Sequence, residues 1–344
     1  MKKIAVNYIV VIILIIVTIW IISSNNELSQ MPNVIKNAHK EFIVLGILSL
    51  VGFWITDAFI LNLLIKRVYS KINIFKALKI TMVGQYYSNI TPFSSGGQPA
   101  QIYTMIKDNI PMGKATSIMI CKFIIYQLIV TLYSIAMFIM KINFVFSNIK
   151  VALPFVIVGM VLNFLGILVI FILFFNSKII RKLTYLVFNF LHRIKLMKRP
   201  KKYEQRVDKH LEEYILSIEE IKNNLEVSFK IGLITIIQLT FRFSITYFVY
   251  LALGFTKASF IDILAIQSLL YMAVSFMPTP GTVGASEGGF YLIFKVFFTS
   301  NILAYAMLLW RGISYYLNLL VSGLVTLIDY ILRKRREVLL DEKS

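Results

Sequence analysis

The chain has 344 residues, of which 58% are hydrophobic and only 15% charged, with a mean hydropathy of +0.76 and a formal net charge of +19. No ordinary water-soluble domain has that balance, so the composition points to a polytopic membrane protein. Cys121 is alone and His39, His192 and His210 are scattered, which leaves neither a disulfide framework nor a metal cluster; no metal or other cofactor is expected.

Taken in chain order, apolar runs long enough to cross a bilayer fall at 4–22, 42–65, 115–140, 151–175, 228–253 and 302–331, with shorter ones at 77–90, 258–277 and 290–299. The first follows Lys2 and Lys3, as a signal peptide would, but it is too long for one and no small-residue cleavage site follows, so it reads as a retained helix. The expected architecture is an all-α integral membrane protein with about seven full transmembrane helices plus two broken, re-entrant hairpins.

Lys and Arg crowd Lys2, Lys3 and the segments 66–76, 107–114, 176–227 and 333–336, whereas the alternate segments carry only Lys36, Lys40, Lys141, Lys150 and Lys257. By the positive-inside rule this predicts a multi-pass protein of the cell membrane with both termini cytoplasmic. The net charge is accounted for by topology and by attraction to anionic headgroups, and no direct nucleic-acid partner is expected.

Between the apolar runs stands "TPFSSGGQPAQIY", residues 91–103, and at an offset of 188 residues it has a partner, "TPGTVGASEGGFYLIF", residues 279–294. Thr91, Pro92, Gly96 and Tyr103 fall on Thr279, Pro280, Gly284 and Tyr291, and the same offset lays 42–65 on 230–253 and 115–140 on 303–328. The predicted organisation is therefore 1–41, first transmembrane helix and outside loop; 42–140, repeat 1 (span, broken hairpin, span); 141–229, linking span and basic amphipathic loop; 230–332, repeat 2; and 333–344, basic tail. An odd number of crossings between the copies makes them inverted repeats, an arrangement that places binding sites where broken helices meet.

Pro92 and Pro280 should interrupt helices at membrane depth, where irregular backbone must be buried in protein or line a wet cavity. Ser94 and Ser95 offer capping hydroxyls, Gly96, Gly97 and Gln98 open a new helix, and Thr282, Gly284 and Ser286 do the same in the second copy. A helix start that exposes amides suits an anion such as phosphate. The alternative is a pair of kinks that only let helices pack closely.

Ionisable residues expected at membrane depth are Asp57, Lys122, Arg242, Glu287 and Arg311, with Lys79 and Lys295 nearer the hairpin ends; each costs roughly 3 kcal/mol to insert and so faces a cavity or a partner. Thr235, Gln238, Arg242 and Thr246 form one polar stripe; Arg311, Ser314, Tyr315, Asn318 and Ser322 form another. Arg242 and Arg311 suit bidentate recognition of a phosphate headgroup, and Glu287 can pair with one of them or carry a proton. The competing reading is structural, with salt bridges Glu287 to Arg242 or Asp57 to Lys122. The segment 176–227 has the periodicity of two surface helices broken at Pro200, and no Walker A motif, nucleophile elbow or dinucleotide fingerprint occurs, so no catalytic residue is assigned.

On the two Gly-rich motifs, and over about residues 5–332, the chain resembles the transmembrane, flippase-like family of lysylphosphatidylglycerol synthases. The resemblance implies a membrane region that moves lysyl-phosphatidylglycerol, made by an appended lysyltransferase domain, across the bilayer, with resistance to cationic antimicrobial peptides as the consequence. Here the sequence stops at Ser344, so that soluble domain is expected to be absent, and the alternative function is a phosphatidylglycerol lysyltransferase acting alone or with a separate catalytic subunit. The expected partners are membrane lipids, either an anionic or aminoacylated phospholipid or a polyisoprenoid-linked one, and a lipid-modifying enzyme. A membrane scaffold that transports nothing is the further alternative.

Overall fold

The computed structural model describes residues 36–70, 72–150, 153–175, 179, 182, 185, 186, 193, 200–222, 224–275 and 277–341. The expected first helix at 4–22 and most of 176–199 lie outside the described residues. Among the described residues the regular structure is helical, without a strand: α1 Lys40–Val68, α2 Ile74–Ile90, a 3-10 turn Pro92–Ser94, α3 Gly97–Lys107, α4 Met112–Met140, α5 Ile142–Asn148, α6 Leu153–Phe175, α7 Pro200–Lys222, α8 Leu225–Ala252, α9 Phe260–Val274, a 3-10 turn Pro280–Thr282, α10 Ala285–Phe294, α11 Ser300–Arg311, a π turn Gly312–Leu317 and α12 Asn318–Asp341.

Four stretches among the described residues are long and apolar enough to cross a membrane, namely Lys40–Val68, Met112–Met140, Glu226–Ala252 and Ser300–Arg335, the last running from α11 through the π turn into α12. At 1.5 Å per residue a helix of α1's length reaches about 43 Å, more than the ~30 Å hydrocarbon core. Leu153–Gly166 and Phe260–Val274 are apolar but shorter. Large apolar side chains such as Leu48, Phe59, Leu132, Ile139, Ile237, Leu324 and Ile328 are exposed on the long helices. Water would penalise such a surface, and lipid tails accept it.

The helix ends are chemically marked. Asn73 and Asn224 accept from the amides of Phe75 and Val227 to open α2 and α8, and Ser259 with Asp262 forms a reciprocal capping box on α9. α1 and α8 pack along much of their lengths, and Gly52 lets the Phe241 ring of α8 approach, since a Cβ there would stand 2.9 Å from it. Among the other extensive contacts α2 lies on α12 and α9 lies on α4, an exchanged pair, while α7 lies on α4 and α1 on α2. A buried aromatic stack, Phe294 on Phe290 at 4.3 Å between centroids and Phe290 on Trp310 at 5.0 Å, holds α10 against α11.

One expectation changes in detail. The apolar stripe of α7 is taken up by protein: Leu211, Tyr214 and Ile218 are buried in the cluster that also holds Ile118 of α4 and Ile231 of α8. Gly113 of α4 sits against His210 and Glu213. An amphipathic stripe fits either a lipid surface or another helix, and here the second wins.

Candidate functional site

The two Pro-Gly segments are helix breaks that open with the same backbone turns. Thr91 is extended (φ −111°, ψ 146°), as a residue before proline must be, and so is Thr279 (φ −90°, ψ 142°). Phe93 (φ 55°, ψ 17°) and Gly281 (φ 59°, ψ 18°) then turn left-handed, followed by Ser94 (φ 53°) and Thr282 (φ 56°). The next helices begin at Gly97 and Ala285, which keeps the 188-residue register. The copies diverge from Ser95 (ψ −22°) and Val283 (ψ 140°) onward, with Gly96 at φ −77° and Gly284 at φ 85°. The two breaks pack against each other.

In the first break no side chain caps α3, and the hydroxyl that braces the turn is that of Thr91, which accepts from the Gly96 amide at 2.8 Å and donates to the Tyr87 carbonyl at 2.6 Å. The left-handed turn swings Ser94 and Ser95 outward; Ser95 donates to the Pro92 carbonyl at 2.8 Å, and both are exposed. Gly97 is buried and Gln98 half-buried.

The second break is anchored by charge. Glu287 Oε1 takes a hydrogen bond from Arg311 Nε at 2.6 Å, and its Oε2 takes one from the Gly284 amide at 2.6 Å. Arg311 Nη2 donates to the Gly281 carbonyl at 3.1 Å, and its guanidinium lies 4.5 Å from the centre of the Tyr315 ring. Tyr315 covers Gly281 so closely that a Cβ there would run into the ring, and its hydroxyl reaches the Asn89 carbonyl at 3.3 Å, next to the first break. Thr282 and Ser286 share a hydrogen bond at 2.6 Å. Arg311 ends α11 where the π turn begins; such a bulge locally widens the helix and re-aims its side chains.

The remaining intramembrane charges form a second group. Lys122 of α4 pairs with Asp57 of α1 at 2.9 Å, and Gln238 of α8 donates to Asp57 at 2.9 Å. Arg242, one turn on from Gln238, lies between rings, 5.2 Å from the centre of Phe53 and 5.0 Å from that of Tyr271. Glu287 thus takes Arg311, and no direct contact joins Arg242 to that pair among the described residues. The two groups are linked through the frame: Trp54 donates to Asn318 at 2.8 Å, and Asn318 to Gln85 at 3.4 Å.

Two ion-pair sets escaped the sequence reading. Lys79 of α2 contacts Asp108 at 3.0 Å and Asp329 of α12 at 3.1 Å, and Arg333 contacts the same two carboxylates at 3.0 and 2.7 Å. Lys141, after α4, contacts Asp262 of α9 at 2.7 Å. No local pattern in the sequence joins these residues, which come from segments far apart in the chain. Among the described residues no group of three or more His, Cys, Asp or Glu gathers as a metal site would require.

The family model described as "Lysylphosphatidylglycerol synthase TM region" matches residues 8–322. A relative from Archaeoglobus fulgidus, described as "UPF0104 membrane protein", is 26% identical over 309 residues, covering 89% of this chain and 91% of its own length.

Proposed function

Since the chain belongs to the lysylphosphatidylglycerol synthase transmembrane-region family, we propose that it is a lipid translocase of the cell membrane that moves a phosphate-bearing lipid, such as lysyl-phosphatidylglycerol, between leaflets. The observation that carries this reading is the packing of two helix breaks against each other beside the Glu287–Arg311 pair, whose arginine is buried and whose carboxylate is half-buried. Irregular backbone with a charge pair, placed within a bundle of membrane-length helices, suits a polar headgroup whose tails stay in lipid.

In this reading 42–140 and 230–332 are inverted repeats, with both termini cytoplasmic. Support comes from the matched backbone angles, the kept register and the exchanged contacts of α2 with α12 and α9 with α4. The Lys79, Asp108, Asp329 and Arg333 cluster then closes one face of the membrane and Lys141–Asp262 the other. Breaking one set while the other holds would open the breaks to alternate sides. If the cargo is lysyl-phosphatidylglycerol, the cellular consequence is altered envelope charge and resistance to cationic peptides.

The test is leaflet exchange. Full-length protein in vesicles carrying headgroup-labelled phosphatidylglycerol or lysyl-phosphatidylglycerol, read with an impermeant quencher, should bleach beyond the half expected for one leaflet. Glu287→Gln should slow it. Folded protein that leaves the inner leaflet unquenched for both lipids would argue for the scaffold reading.

A further inference from the structure

Away from the breaks, the group around Arg242 has two unmet requirements. The first is charge. Asp57 is neutralised by Lys122 at 2.9 Å, whereas Arg242 has ring faces for company and no carboxylate among the described residues. Ring faces stabilise a guanidinium in part, but they take none of its five N–H donors as hydrogen bonds. The second is an acceptor. Gln238 is 1% exposed, its amide nitrogen is committed to Asp57, and its Oε1 has no hydrogen-bond partner. A buried carbonyl oxygen left empty is costly enough that native structures rarely keep one without reason. Arg242 itself is half-buried, and the Tyr271 ring against which it lies carries a hydroxyl 3.1 Å from that of Tyr126.

We propose that Arg242 and Gln238 form a ligand site, separate from the helix breaks, for a phosphate oxyanion whose neighbouring group carries a hydroxyl or amine N–H. Arg242 takes the phosphate oxygens through its fork of donors, and the empty Gln238 oxygen accepts from the adjacent donor. Asp57 and Lys122 have a positioning role: the carboxylate orients the Gln238 amide so that its oxygen faces away from Asp57, and the ammonium cancels a charge that would repel the anion. The proposal rests on the translocase reading only for the identity of its physiological occupant, a lipid headgroup.

Binding to the purified full chain in an uncharged maltoside detergent, followed by calorimetric titration, tests it with three probes: dihexanoyl phosphatidylglycerol, which has phosphate and hydroxyls; dihexanoyl phosphatidylcholine, which has phosphate and no such donor; and inorganic phosphate. The expected result is saturable binding of the glycerol lipid, weakened about tenfold or more in Arg242→Gln and recovered in part in Arg242→Lys, which keeps the charge but not the fork. Gln238→Met should erase the preference for the glycerol over the choline lipid. An Arg242-dependent response to inorganic phosphate supports the oxyanion site with a soluble source; dependence for the lipid alone supports the headgroup. Equal affinities in wild type and Arg242→Gln, with both proteins folded by their melting curves, would overturn the proposal and leave Arg242 as a packing post. Arg242-dependent binding without leaflet exchange would sink the translocase reading but keep the site; exchange with Arg242-independent binding would do the reverse.

Discussion

Phe93 and Gly281, 188 residues apart, hold the same left-handed backbone conformation, φ 55° and ψ 17° against φ 59° and ψ 18°, at the same step of the two helix breaks. Glycine adopts it freely; phenylalanine pays a steric penalty of about 1 to 2 kcal/mol through its Cβ. The first break therefore keeps an exposed ring in a conformation its twin assigns to glycine.

Phe93→Gly should raise the thermal stability of the detergent-solubilised protein, by about 1 kcal/mol once the added freedom of the unfolded chain is subtracted. Phe93→Ala keeps the strained backbone and should bring no such gain. The melting temperatures of the two variants, measured side by side, check this.

Gly281→Ala should do the opposite. The new methyl meets the Tyr315 ring and strains a positive φ, for a loss of about 2 kcal/mol. A Tyr315→Ala background should recover part of it by removing the ring, which a comparison of denaturation midpoints would detect.

The Glu287–Arg311 pair should be strongly coupled. Removing Arg311 strands a carboxylate that also caps Gly284, so Arg311→Gln should cost about 3 kcal/mol. The double variant Glu287→Gln with Arg311→Gln should lose less than the sum of the singles, and a double-mutant cycle on unfolding measures the difference.

How much of this was legible in the chain depended on whether local chemistry sufficed. Pro92 and Pro280 dictate a break whatever surrounds them, and the repeat offset and the membrane class could be read directly. That Thr91, and neither Ser94 nor Ser95, braces the turn could not, because it follows from the left-handed backbone at Phe93, a conformation sequence rules would reserve for glycine. Nor could the choice of Arg311 over Arg242 for Glu287, since both arginines lie on apolar helices and only the packing of α10 against α11 selects one. Asp108, Asp329 and Arg333 belong to distant segments, and only the packing of α2 and α12 with the end of α3 gathers them with Lys79.

The two ion-pair sets give a prediction about motion. In a background with Cys121 replaced by Ala, a short reducible thiol cross-linker joining Lys79→Cys to Asp329→Cys, or Lys141→Cys to Asp262→Cys, should halt leaflet exchange, and reduction should restore it. Exchange that continues at full rate through both cross-links would remove alternating closure from the account.

The most direct measurement is where the lipid headgroup goes. A phosphatidylglycerol analogue with a photoreactive diazirine on its headgroup, irradiated in vesicles containing the full chain and mapped by mass spectrometry of the digest, should leave adducts within 91–98 and 279–287. Adducts confined to lipid-facing residues such as Leu132, Ile139 or Leu324, with none on either break, would contradict passage of the headgroup between them.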